Sequence, residues 1–144
     1  MPVYEYREEA DKVILPNDTI VTAEIVSIKE QEKTSKEGKQ YKKLLWTFAI
    51  QEPGAEYDGQ YVYGDTFPEF RSGSEFEEWT REVMAQDEAF EKGFKINTDL
   101  LVGMQCRLRV GLRSYEKNGE TKSTNFVAEV MRSRSAMSAT EEPF

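Results

Sequence analysis

The sequence predicts a mainly β domain: five strands closed as a small Greek-key barrel, with one main helix between the third and fourth strands. Three observations carry that reading. Gln105–Arg132 alternates apolar and basic residues, turns once at Asn118-Gly119 and runs back, the pattern of a long antiparallel hairpin. Upstream, three runs rich in β-branched and aromatic residues are separated by turn-forming residues. Between the third run and the hairpin lies one stretch, Ser74–Phe90, whose apolar residues recur at helical spacing.

In chain order, residues 1–18 read as an N-terminal arm. Tyr4, Tyr6, Val13, Ile14 and Leu15 are its means of attachment, and Pro16-Asn17-Asp18 is a turn into the first strand. Thr19–Lys29 is that strand. Glu30–Gln40 follows as a polar, lysine-bearing loop. Tyr41–Ile50 is the second strand, with Leu44, Trp46, Phe48 and Ile50 on its core parity and Tyr41 and Lys43 on the exposed one. Pro53-Gly54 and Asp58-Gly59 punctuate the next turn. Gln60–Thr66 is a short third strand with Tyr61 and Tyr63 facing the same way. Those tyrosines either stack bases or cover a sheet edge, and the spacing alone leaves both open.

In the helix, Ser74 and Glu77 form a capping box after Gly73, and Glu75, Glu77 and Glu78 suit the positive end of the helix dipole. Phe76, Trp79, Val83 and Phe90 make its buried stripe, and its outer face is acidic. Asp99 is placed to cap a single turn through Leu100–Val102. Trp46, Phe48, Trp79, Leu108 and Val110 are expected in the core.

The Asn118-Gly119 turn sets the hairpin register. Lys117 faces Glu120, Tyr115 faces Lys122, Arg113 faces Thr124 and Gly111 faces Phe126. Arg109, Arg113, Tyr115 and Phe126 then share a face. Continued without interruption, the register sets Leu108 against Glu129, so a bulge is expected farther along. Two readings of the face stand. Phe126 stacks an unpaired base while the arginines hold phosphates, or it fills the space over Gly111 on a partly solvated surface.

Composition narrows the function classes. The chain has 144 residues and a formal net charge of −8, with no histidine and one cysteine, Cys106. One domain is expected. A zinc site of the usual kind, a histidine triad and a disulfide framework are excluded, and no cofactor or metal is expected. Cys106 reads as a small buried residue. No run is long enough to span a membrane and no signal peptide is evident, so a reducing, cytoplasmic setting is the default. The acidity is uneven. Basic residues concentrate in Lys29–Ile50 and in the hairpin, while acids crowd the N-terminal arm, Glu75–Glu91 and the C-terminal end. A local basic groove on an acidic body acts within about a Debye length of its own phosphates.

The order strand, strand, strand, helix, strand, strand is that of the OB-fold, here spanning residues 19–132. In that fold the central strands and the loops joining strands one–two and four–five bind oligonucleotides. Those loops are Glu30–Gln40 and Glu116–Thr121, both lysine-bearing. The phosphate-contact candidates are Lys33, Lys36, Lys39, Lys43, Arg107, Arg109, Arg113, Lys117 and Lys122. The stacking candidates are Tyr41, Tyr61, Tyr63, Tyr115 and Phe126.

Residues 133–144 read as a flexible tail ending Glu141-Glu142-Pro143-Phe144. With the element order, this ending resembles single-stranded DNA-binding proteins of the bacteriophage type, which have an acidic C-terminal segment and a terminal Phe. The tail has two acids and no long Gly/Gln-rich linker, closer to the phage than to the bacterial form. The resemblance implies a non-enzymatic protein that binds single-stranded DNA in replication, recombination or repair. It further implies that Glu141, Glu142, Pro143 and Phe144 recruit protein partners, and that the setting is the host cytoplasm; self-association stays open. Two other classes compete: a protein-interaction or virion structural β-barrel, and a metal-dependent nuclease. For the latter the sequence offers no carboxylate cluster with a companion lysine.

Overall fold

The computed structural model describes residues 13–134. Five strands form one antiparallel sheet in the order β3-β2-β1-β4-β5: β1 is Thr19–Thr34, β2 Gln40–Ile50, β3 Tyr61–Thr66, β4 Gln105–Lys117 and β5 Glu120–Arg132. Helix α1, Glu75–Val83, lies between β3 and β4, and a 3₁₀ turn covers Thr98–Leu100. The outer strands β3 and β5 curl toward each other until Gly64 meets Val127, so the sheet nearly closes. This is the expected OB-like arrangement, with the helix where the element order put it.

The core is the inner parity of every strand. Trp46, Phe48, Leu108 and Val110 are fully buried and Trp79 is 5% exposed, as expected. Trp46 stacks on Phe48 at 6.2 Å, meets Trp79 edge-on at 5.3 Å and donates its indole N–H to the Thr66 hydroxyl at 3.1 Å. A buried Trp thus has its polar atom satisfied. Gly64 is required where Trp79 packs: a Cβ there would lie 2.7 Å from the Trp79 ring and 2.9 Å from Val127.

Four local expectations are corrected. Strand β1 does not end at Lys29 but continues to Thr34, because Glu30–Thr34 pair in unbroken register with Leu44 back to Gln40. Both faces of this ribbon are largely solvated, so no apolar alternation marks it. The loop shrinks to Ser35–Lys39, closed by Ser35 N–H to Lys39 O at 2.8 Å.

Helix α1 stops at Val83 rather than Phe90. Ala85 takes φ 53°, with Ala85 N–H bonded to Glu82 O and Gln86 N–H to Arg81 O. That is a Schellman ending built on alanine instead of glycine, which hides it in the sequence. The Arg81 side chain holds the reversal through Gln86 O and Asp87 O. Phe90 leaves the helical stripe and packs with Phe70 and Phe94 at 5.0 and 4.9 Å.

Only half of the capping box forms. Ser74 Oγ accepts from Glu77 N–H at 3.1 Å, but the Glu77 carboxylate is buried against Arg81 at 3.4 Å, so the acidic face is less exposed than its composition suggests. The 3₁₀ turn is capped by Asn97, whose side chain accepts from Asp99 N–H at 3.0 Å; Asp99 is not the cap.

The hairpin register holds at all four expected pairs, and the expected bulge falls between Arg109 and Val110, so Leu108 pairs with Val130. Asn118 and Gly119 take φ 54° and 78°, as a type I′ turn requires. The turn at Pro16–Asp18 is present, with Leu15 buried behind it. Tyr4, Tyr6 and the Glu141–Phe144 ending lie outside the described residues.

Candidate nucleic-acid interface

Strand pairing decides which side chains share the outer face. On β3 the alternation is complete: Val62, Gly64 and Thr66 point in, while Tyr61, Tyr63 and Asp65 point out. Their partners on β2 are Ala49, Thr47 and Leu45, and β2 continues outward with Lys43 and Tyr41. Lys33 pairs with Tyr41 on β1. On the other side of β1, Thr22 pairs with Arg107 and Ile20 with Arg109, and the same parity runs on through Gly111, Arg113 and Tyr115. Phe126 lies opposite Gly111 and Lys122 opposite Tyr115. Lys33, Tyr41, Lys43, Tyr61, Tyr63, Arg107, Arg109, Arg113, Tyr115, Lys122 and Phe126 therefore all sit on the outer face.

A cleft of about 520 Å³ opens where β3 approaches β5. Tyr63, Gly64 and Asp65 line one wall, and Arg113, Thr124 and Phe126 the other. Leu45 and Glu75 complete it. This brings Tyr63 together with Arg113 and Phe126, which lie far along the chain on β4 and β5. Phe126 lies over Gly111, where a Cβ would come within 2.5 Å of its ring, and the Arg113 guanidinium covers the ring at 4.1 Å from its centroid. The ring thus fills the space over the glycine, as the second reading has it, and carries a cation on its face.

The basic residues divide by partner. Arg109 is held by Asp18 at 2.9 Å and Glu129 at 3.1 Å; the hydrogen bonds to Glu129 and then Asp18 raise its pKa above the usual arginine value. Lys33 and Lys43 share Asp65 at 3.8 and 3.7 Å. The Arg107 Nε donates to Arg132 O at 3.0 Å. Arg107 and Arg109 do not line the cleft. Lys36 and Lys39 sit in the β1–β2 turn, and Lys117 and Lys122 beside the β4–β5 turn; among the described residues these four make no ion pair. The two hairpin tips thus offer the available charge, and the sheet between them offers rings. Tyr61, Tyr63 and Tyr115 are exposed.

Three site residues are absent from the sequence-based candidates. Phe67, 54% exposed, extends the β3 alternation one step past Thr66, carries Lys43 Nζ at 3.8 Å from its centroid and sits 6.4 Å from Tyr41. Continuing the period of two beyond the strand would have found it. Asp65 lies on the same stripe. Glu75, the first helical residue, reaches the cleft only because α1 starts against the β3–β5 seam. Desolvation raises its pKa, and Lys43 partly offsets this. Among the described residues no group of three or more Cys, Asp or Glu side chains is arranged to hold a metal ion.

The fold and this face define an OB-like barrel with an aromatic and basic outer surface. No protein-family model matches the chain. No curated protein matches it either. Among solved structures, one similar chain is from yeast RPA bound to ssDNA, with 12% identity, 92% of this chain and 88% of that chain covered, and a TM-score of 0.43.

Proposed function

We propose that this chain binds single-stranded DNA without catalysis and with broad sequence tolerance. The observation that carries the reading is the outward pair Tyr61 and Tyr63 on β3, continued past the strand by Phe67, with Tyr63 facing the Arg113–Phe126 pair across one cleft and two lysine-bearing hairpin tips flanking it. Alternate strand residues such as Tyr61 and Tyr63 stand about 6.6 Å apart, and Phe67 lies two such steps farther on, past Asp65. Rings at that spacing give unpaired bases successive stacking surfaces, and flanking cations meet the phosphates. A duplex hides its base faces and gains nothing from such a stripe.

Net acidity fits this reading. On this face Lys33, Lys43 and Arg109 are already balanced by acids, so general attraction to polyanions is weakened and attachment depends more on base stacking. The biological setting we propose is protection of single strands in phage replication, recombination or repair, in the host cytoplasm. The Glu141–Phe144 ending would dock on replication or recombination proteins: Phe144 supplies burial, and Glu141 and Glu142 supply steering. No helix among the described residues is long and apolar enough to cross a membrane.

The test is an anisotropy titration with labelled single-stranded DNA, single-stranded RNA and duplex, repeated across salt. Single strands should bind at least an order of magnitude more tightly than duplex, with affinity falling as salt rises. Absence of single-strand binding at low salt supports the protein-interaction module instead. Magnesium-dependent cleavage of the oligonucleotide would make the chain a nuclease.

A further inference from the structure

An anion-binding face has no obvious use for carboxylates, yet two line its cleft, Asp65 and Glu75. Their situations differ. Asp65 is taken up by Lys33 and Lys43. Glu75 makes no hydrogen bond or ion pair among the described residues, and it stands exposed at the start of α1. Glu77 and Glu78 share that first turn, so the helix end repels a phosphate rather than receiving one. The Tyr63 ring and the Leu45 side chain offer the faces of a base apolar contact, and Phe126, its ring covered by Arg113, closes the opposite wall. The volume falls within the range of about 300–1,000 Å³ usual for small-ligand sites.

We propose that this cleft seats one nucleobase with its edge toward the Glu75 carboxylate, and so prefers bases carrying amino donors: guanine first, cytosine and adenine next, thymine last. The proposal rests on the single-strand reading and adds one selective position to an otherwise tolerant surface. An ionised carboxylate only accepts hydrogen bonds. Guanine presents N1–H and the N2 amine side by side, matching both oxygens of one carboxylate. Cytosine and adenine each present one amine. Thymine presents a single N3–H between two carbonyl oxygens, which a carboxylate repels. Bidentate pairing of a side chain with a base discriminates by roughly 5- to 150-fold.

The experiment uses the full chain and labelled strands of roughly 12 nucleotides, within the usual site size. All are thymine except one central position, which is thymine, guanine, hypoxanthine, cytosine or adenine. The central guanine should tighten binding by about tenfold over thymine. Hypoxanthine, which lacks the N2 amine, should fall between them. Glu75→Gln should erase the guanine preference and move it toward adenine, whose N6 and N7 match an amide, while the all-thymine strand still binds. Glu78→Gln removes the same charge from the same turn outside the cleft and should keep the guanine preference. A wild-type preference below about twofold, or a preference that survives Glu75→Gln, overturns the inference while leaving single-strand binding intact. Failure of every strand to bind overturns the single-strand reading, and this inference with it.

Discussion

The side-chain amide of Asn125 pairs with the backbone of Leu15 as a strand would: Oδ1 accepts from Leu15 N–H at 2.8 Å and Nδ2 donates to Leu15 O at 2.9 Å. The same Nδ2 reaches Gly111 O at 3.1 Å. Gln60 does likewise for Val13, accepting from its N–H at 3.1 Å and donating to its carbonyl at 2.9 Å. Residues Val13–Leu15 thus strap the seam between the start of β3 and β5, and two amides supply the hydrogen bonds that a ladder between β3 and β5 would otherwise make. Asn125→Ala should destabilise the fold by on the order of 1–3 kcal/mol, since partly buried backbone groups lose their partners. A urea midpoint unchanged from wild type would show that the strap contributes nothing.

Gly111→Ala should act at the cleft. The new Cβ would meet the far end of the Phe126 ring at 2.5 Å, and the ring must swing out from under Arg113. Overpacking of this kind costs about 1–3 kcal/mol of stability. Single-strand affinity should fall as well, because the ring and its guanidinium leave their present places together. Loss of stability with affinity intact would remove Phe126 from the interface.

Rings and charges should separate by salt dependence. Tyr61→Ala, Tyr63→Ala and Phe67→Ala should each cost on the order of 1–3 kcal/mol of binding per stacked base, with the salt slope unchanged. Arg113→Ala and Lys39→Ala should each shallow the log–log salt slope by about one unit. Arg109→Ala should change it less, since Asp18 and Glu129 already balance that charge. Equal slopes for Arg109→Ala and Arg113→Ala would mean that DNA displaces those acids.

Cys106 gives a pH signature. Burial pushes its thiol from the usual 9.0 up to about 12. Below pH 9 the thiol is neutral in both states and contributes no pH dependence. Between pH 9 and about 12 the unfolded chain sheds the proton and the folded one keeps it, so stability falls, by up to about 1.4 kcal/mol per pH unit. Cys106→Ala should lose this component. The stability difference between wild type and variant should therefore be flat to pH 9 and shift in favour of the variant above it. A difference that stays constant to pH 11 would place the thiol in contact with water.

Much of this architecture is legible locally. Asn118-Gly119 announces its turn, the alternation in β2 and β4 separates core from face, and Ser74 starts the helix. The unreadable parts depend on distant partners. Arg109 finds Asp18 ninety-one positions away, and Asn125 finds Leu15 across one hundred and ten. The polar half of β1 is a strand only because β2 lies beside it. Ala85 ends α1 in a conformation that alanine rarely announces. The same holds for the cleft: Tyr63 and Phe126 are each visible as outward aromatics, but their meeting depends on β3 curling back to β5.

The account's central claim is that the outer face between the two hairpin tips receives the DNA. Amide chemical shifts of the isotope-labelled chain, titrated with a thymine strand of roughly 12 nucleotides at low salt, test it most directly. The largest changes should fall in Tyr61–Phe67, around Tyr41 and Lys43, and from Gly111 to Phe126. The Phe70–Phe90–Phe94 surface should stay still. Changes confined to that aromatic cluster, or no changes at saturating strand concentration, would contradict the account.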